Sequence, residues 1–333
     1  HRYRALLAAV FLLVSGDGAA WAGPAVPLDV FTWSEYIDPE LVTRFETEYG
    51  AEVRFSYFGA DAERDKELTA SGGTGFDVVL VGGAQMSNYV GRGWIAPLSE
   101  ADAPRLAHID QRWADDSSDA DVRYGAAYFW GTLGITWRTD LYPEGFSSWR
   151  ELLEPGPELT GRILMPGYGR ELLGFALKAD GHSINTTDRS LIHEAGRKLL
   201  RQKPFVRGYG YPALTAESSL ITGEIWAAPM YNGDALQLKA LDDRIAYRLP
   251  VEGGQLWVDY LTVTVSSNRR ALAIAFIDFL KRPAVAARNA KHVHFATPNL
   301  AARELVSAEY LADPVIHPSG ARFRDSEFMR PLP

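Results

Sequence analysis

The sequence predicts an α/β fold in two lobes, each a mixed and mostly parallel sheet flanked by helices. Three observations lead there. Short β-rich runs alternate with amphipathic stretches of about ten residues, the pattern of βαβ units. One of these runs, residues 76–81 (FDVVLV), is apolar throughout, as a strand covered on both faces must be. The alternation resumes after residue 160 with no Gly/Ser-rich linker, so the two units are expected to share strands that cross between them.

Residues 28–32 (LDVFT) alternate and are rich in β-formers, which predicts the first strand. A helix over 39–49 follows, with Leu41, Val42, Phe45 and Tyr49 on one face and Gly50 as its stop. Residues 51–57 read as a strand, and 61–71 as an amphipathic helix ended by Gly72-Gly73. In the second half, 162–165 is a short strand and 170–177 a helix. Residues 188–202 form an amphipathic helix with the stripe Leu191, Ala195 and Leu199, and Thr187 as its expected N-cap. Residues 225–230 are another strand of the buried type, and 257–265 alternates again. The helix over 269–280 turns Leu272, Ala275, Phe276 and Phe279 inward and breaks at Pro283.

The chain carries 34 Lys and Arg against 42 Asp and Glu, a net charge of −8. That sign opposes tracking nucleic-acid phosphates and suits a cationic ligand. The lack of cysteine excludes disulfides, thiolate zinc sites, cysteine nucleophiles and a lipidated N-terminal cysteine. At the start, His1-Arg2-Tyr3-Arg4 is positive, residues 5–15 are an apolar run, and Ala20-Trp21-Ala22 closes a stretch of small residues. That succession reads as a secretory signal peptide over residues 1–22, cleaved after Ala22. The run is too short to span a bilayer and no later one approaches about 18 residues, so an exported, periplasmic protein without membrane insertion is expected. Because the first residue is not Met, a processed or partial chain is expected.

Enzymatic signatures are missing. There is no HExxH, no GxSxG, no P-loop and no GxGxxG after a strand. The seven histidines are scattered; His292 and His294 alone are close, and without further ligands nearby they predict no metal site. No pair of carboxylates has a spacing that nominates a general acid and base. The expectation is a protein with neither catalysis nor cofactor.

What the sequence offers instead is aromatic residues beside acids at strand ends. Trp33-Ser34-Glu35-Tyr36 follows the first strand, at the carboxyl end where open α/β sheets bind ligands. Tyr231-Asn232-Gly233-Asp234 follows the strand over 225–230. Trp257 and Asp259 alternate within a strand and so share a face. Aromatic faces hold the methylenes of an alkyl ammonium and attract its charge, while a carboxylate neutralises it.

With these segments in place, the chain resembles the spermidine/putrescine-binding proteins of bacterial polyamine ABC importers over about residues 27–325. The resemblance is carried by FTWSEYIDPELVTRFETEYG, TGFDVVLV, YFWGTLGITW, SWRELLEP, EGGQLWVDYLTV and HFATPNLAAREL, in the family's order. It implies the type II periplasmic binding protein fold: two lobes, two crossing strands at the hinge, and a ligand in the cleft between them. The crossings are expected near 131–136 and 257–265. The lobes are expected at 27–131 plus 259–298 and at 132–258 plus 299–333.

Residue by residue, the resemblance places Trp33, Ser34, Glu35 and Tyr36 at the family's first aromatic-acid motif. It makes Trp257 a cleft aromatic and Asp259 a principal amine ligand. Tyr231 stands where a stacking tryptophan is usual, and Asp234 where putrescine binders carry an amine-binding aspartate. Glu171 aligns with an amine-binding glutamate, and Phe295 with a cleft tyrosine. The departures are Gly82 and Gly83, which widen one corner, Tyr168 in place of an anchoring aspartate, and Arg324 in place of a polar residue near the C-terminus.

The implied function is that of a monomeric solute-binding protein delivering a small cationic amine to an inner-membrane ABC permease. Asp234 with Asp259, and the anion lost at Tyr168, point to a putrescine-sized diamine rather than spermidine. Arg324 near the site would instead favour a ligand with a carboxylate, such as an ω-amino acid; agmatine is a further candidate. A second reading keeps the fold and makes the chain a polyamine-sensing module for a membrane signalling partner. A third, a secreted hydrolase, lacks a nucleophile–base pair.

Overall fold

The computed structural model describes residues 24–113 and 122–331, so the signal-peptide reading lies outside the described residues. A single mixed sheet carries the fold. Its first strands are β1 (Val26–Thr32), β2 (Ala51–Tyr57), β3 (Val78–Gly82), β4 (Ile95–Ala96), β5 (Ala126–Arg138) and β6 (Ile163–Met165). The later ones are β7 (Val206–Tyr209), β8 (Ala227–Tyr231), β9 (Ile245–Arg248), β10 (Gln255–Thr264) and β11 (Glu327–Phe328).

β1 pairs in parallel with β2 and β3, and β6 pairs in parallel with β7 and β8. Between these two parallel sets run β5 and β10, antiparallel to each other. β10 bonds to β3 on one side, and β5 bonds to β8 on the other. Every residue of β5 is buried, as a strand covered on both faces requires.

The two largest apolar cores among the described residues lie along this sheet. The first gathers β1, β3, Ala126 to Trp130 of β5, the middle of β10 and the helix Arg270–Leu280. The second begins at Leu133 of the same strand and adds Trp137, Phe146, Trp149 and Phe175. Tyr310 and Ile316, near the C-terminus, pack into the first core.

The helices follow local chemistry. Pro39–Tyr49 starts with Pro at its first position and the Asp38 side chain accepting from Glu40 N; Gly50, at φ 61°, stops it. Two sequence expectations need correction. The cap of Arg189–Gln202 is Asp188, not Thr187: its carboxylate accepts from the N–H groups of Ser190 and Leu191, where an anion gains from the helix dipole. The buried face of Arg270–Leu280 comprises Ala273, Ile274, Phe276, Ile277, Phe279 and Leu280, while Leu272 and Ala275 are half-buried. Packing on β10 and on the next helix, Pro283–Val293, buries a wider face and turns it away from the expected stripe. Pro283 ends one helix and opens the next.

Candidate functional site

The loops at the carboxyl ends of the parallel strands converge beside the centre of the sheet. Asp61 opens the helix Asp61–Ser71 after β2, Glu171 lies in the first turn of Gly169–Ala179 after β6, and Asp234 in the first turn of Asn232–Leu241 after β8. The partial positive charge of a helix start favours an acid at each of these places. A fourth acid, Asp259, comes from β10, opposite Gly82 on β3 and Phe129 on β5.

Asp259 is 9% exposed, and Tyr36 Oη donates to its Oδ2 at 3.0 Å. Burial, then the charge of Asp61, push its carboxyl up to about 7, against hydrogen bonds from Tyr36 and Trp33 and the charge of Arg64. The Tyr36 loop is braced. Tyr128 Oη donates to Tyr36 O at 3.1 Å, Asn289 Nδ2 donates to Tyr128 Oη at 2.5 Å, and Asp38 N donates to Asn289 Oδ1 at 2.9 Å. That bracing holds Glu35 at φ 56°, a left-handed conformation that a non-glycine residue adopts only under constraint.

Across the cleft, Tyr211 Oη donates to Asp234 Oδ2 at 2.6 Å and accepts from Tyr231 N at 3.0 Å. Tyr231 Oη donates to Glu171 Oε1 at 3.1 Å. Burial raises Asp234 to about 6 and, with the charge of Asp61 adding to it, Glu171 to about 7. Trp257 stands between the two sides, edge-to-face with Tyr231 at 5.8 Å and with Phe295 at 4.8 Å. Phe295 in turn meets Tyr36 at 5.9 Å. These rings pack so closely that a Cβ at Gly233 would overlap Phe295, and one at Gly131 would overlap Trp257.

Four acids gather here with a tryptophan, and burial, with the charge of Asp61 adding to it at Asp259 and Glu171, holds three of them above the usual carboxylate range. Residues 40–318 match the family described as bacterial extracellular solute-binding protein. The chain belongs to that family. Its relatives include the spermidine/putrescine-binding periplasmic protein of Escherichia coli K12, 28% identical over 326 residues, covering 98% of this chain and 92% of that one. The norspermidine sensor of Vibrio cholerae is 28% identical over 291 residues, 87% of this chain and 79% of that one. Among solved structures, a putative spermidine/putrescine ABC transporter from Listeria monocytogenes superposes with a TM-score of 0.84 at 30% identity, covering 93% and 94% of the two chains. The resemblance read from the sequence is thereby shown, together with the two-lobed type II fold.

This solute-binding protein brings together Trp33, Tyr36, Glu171, Tyr231, Asp234, Trp257, Asp259 and Phe295 through the contacts just described. Gly82 borders Asp259, and Gly83 lies against Val258. Tyr168 is exposed, with Glu63, Glu171 and Asp61 acting on its hydroxyl. Ser34 and Glu35 are exposed on the Tyr36 loop. Arg324 is exposed on the short helix Gly320–Arg324, and no hydrogen bond or ion pair ties it to a described residue.

Two site residues escaped the sequence reading. Asp61 had a usable signal, since it opens a helix after a parallel strand just as the region of Asp234 does. Tyr211 had none: it reaches Asp234 only because β7 lies at the edge of the second parallel set. Among the described residues no three His, Asp or Glu side chains gather as a metal site would need.

Proposed function

We propose that this solute-binding protein captures a small amine carrying two ammonium groups in the cleft lined by Asp234, Glu171 and Asp259, and delivers it to the permease of an ABC importer. One observation carries the proposal: three carboxyls from different elements, two after strand ends and one within β10, are held at about 6 to 7 in the same site, with Tyr hydroxyls as their main partners. A bound ammonium supplies the missing counter-charge. The magnitudes are adequate, since a micromolar Kd needs about 8 kcal/mol. Charged hydrogen bonds add about 1.5–3 kcal/mol each, and cation–π contact with Trp about 0.5–2.

The finer reading is a putrescine-sized diamine, with one counter-charge from Asp234 and one from Asp259. The names of the Escherichia coli and Listeria relatives support amine binding and a transport role. Closure is proposed between lobes 27–131 plus 259–298 and 132–258 plus 299–333, hinged on β5 and β10. The change of core between Trp130 and Leu133 supports that hinge, although Tyr310 and Ile316 lean on the first lobe's core. Export through residues 1–22 places the mature, monomeric protein in the periplasm. The Vibrio cholerae relative supports a second reading, in which the same closure reports an amine to a membrane sensor.

A thermal-shift panel of putrescine, cadaverine, agmatine, spermidine and ω-amino acids tests the proposal. At 100 times Kd, binding adds about 2.7 kcal/mol to stability and raises Tm visibly. No shift with any amine at millimolar concentration would refute it.

A further inference from the structure

We infer that Asp61 is a fourth ligand carboxylate, and that Asp61 and Asp259, flanking Gly82, form one subsite for a head group with at least two N–H donors. The inference rests on the cleft being the amine site. Its basis is a gap that the backbone keeps open. A Cβ built on Gly82 would lie 3.7 Å from Asp259 Oδ1 and 3.8 Å from Asp61 Oδ1, so both carboxylates border the same small space. Gly82 has an ordinary extended backbone, φ −68° and ψ 146°, so its conformation does not require glycine. Space, not torsion, accounts for its bareness.

Asp61 is held toward that gap. Arg64 is fully buried and its Nη1 meets Asp61 Oδ1 at 2.6 Å, while its other donors are taken by Tyr89 Oη, Asp65 Oδ1 and Leu80 O. Four of the five guanidinium N–H donors are thus engaged, which fixes the group, and it uses one oxygen of an Asp61 side chain that keeps 49% of its surface exposed. On the other side, Tyr36 takes Asp259 Oδ2 and leaves Oδ1 facing the gap. Asp259 therefore spends Oδ2 on Tyr36 and turns Oδ1 to the space at Gly82, while the Asp61 oxygen that borders this space, Oδ1, is the one Arg64 holds in place, and its second lone pair is what it can offer a ligand.

Two acceptors converging on one space select by donor count. A primary ammonium has three N–H donors and a guanidinium five, so either can bond both carboxylates at about 2.7–2.9 Å. A trimethylammonium has none and would leave the gap-facing Oδ1 of buried Asp259 without a donor, which is unfavourable. The subsite therefore takes the primary-amine or guanidine end of the ligand, leaving the far end to Asp234.

The test uses Asp61→Asn and Gly82→Ala in the mature protein, with putrescine as the probe and Glu63→Gln as a neighbouring control. Asp61→Asn is expected to weaken putrescine binding by about 10- to 100-fold, the loss of one charged hydrogen bond. It is also expected to move the pH midpoint of binding downward, because Asp259 loses a neighbouring anion. The charged and titratable groups facing Asp259 are Tyr36 after β1, Asp61 and Arg64 after β2, and Tyr231 at the end of β8; β3 and β5 present Gly82 and Phe129. Gly82→Ala makes only ordinary contacts, the nearest being Gln85 Oε1 at 3.5 Å, so it should keep the wild-type Tm while losing putrescine. That second variant decides the matter if Asp61→Asn, by stripping charge from buried Arg64, fails to fold.

Wild-type affinity and an unshifted pH midpoint in Asp61→Asn, or full affinity in Gly82→Ala, would overturn the subsite. Either result would leave the cleft reading intact as long as Asp259→Asn still abolishes binding. If Asp259→Asn also binds normally, the cleft reading itself fails.

Discussion

Replacing Asp259 by Asn separates a ligand-binding acid from a structural one, because the two roles move stability in opposite directions. The carboxyl of Asp259 ionises near 7 in the folded protein against 3.8 ordinarily, mainly through burial and then through Asp61. A folded-state value above the unfolded one means that the folded chain binds the proton more tightly. Stability from this group therefore falls as pH rises from about 4 to 7, and the cost is complete above about 7. At about 1.4 kcal/mol per pH unit, three units correspond to roughly 4 kcal/mol for holding the carboxylate charged. Asn keeps the shape and an acceptor for Tyr36 Oη without the charge. Ligand-free Asp259→Asn should melt several degrees above wild type at pH 8, at about 2–4 °C per kcal/mol, and the gain should vanish near pH 4. Its amine affinity should drop by about 2–5 kcal/mol, the cost of truncating one partner of a desolvated charge pair. Calorimetric melting at both pH values with isothermal titration of putrescine reads both effects. A lower Tm at pH 8, or undiminished affinity, would refute the reasoning.

Amine affinity should rise with pH between 5 and 8, because Asp259 and Glu171 near 7 and Asp234 near 6 must ionise to pair with ammonium. For a group at 7 the loss at pH 5 is about 100-fold, and titration in buffers of different ionisation enthalpy should show proton release; a flat profile would contradict the assignment. Trp257→Ala and Trp33→Ala should each weaken binding several-fold while far-UV circular dichroism is preserved, since they remove cation–π and stacking contacts worth about 0.5–2 kcal/mol. In direct competition at equal concentration putrescine should displace spermidine, and the reverse outcome would end the short-diamine reading. Arg324→Gln should leave or improve diamine binding, because Arg324 is exposed on the helix Gly320–Arg324; ω-amino-acid binding that the same change abolishes would put a carboxylate-bearing ligand back in play.

The sequence by itself determined the alternation of strands and helices, and with it the positions where ligand groups emerge. Residues 51–57 and 61–71 were legible to the residue because local signals coincide there: β-formers, an amphipathic period and a glycine stop. Trp33, Asp234, Trp257 and Asp259 were legible for a related reason. Trp33 and Asp234 follow strand ends, and Trp257 and Asp259 alternate within one strand; both are local properties of the chain. What tertiary structure alone decided is which of those ends meet. The antiparallel pair β5 and β10 joins the two parallel sets, and only that join carries Asp61 to the gap beside Asp259 and Tyr211 to Asp234. The charge states are equally non-local. Asp259 is a plain aspartate in sequence, yet burial and the charge of Asp61, brought up from a distant element, lift it to about 7. Periodicity reports which face of an element is apolar; desolvation and Coulomb energy depend on distances between elements, and those exist only once the chain has folded.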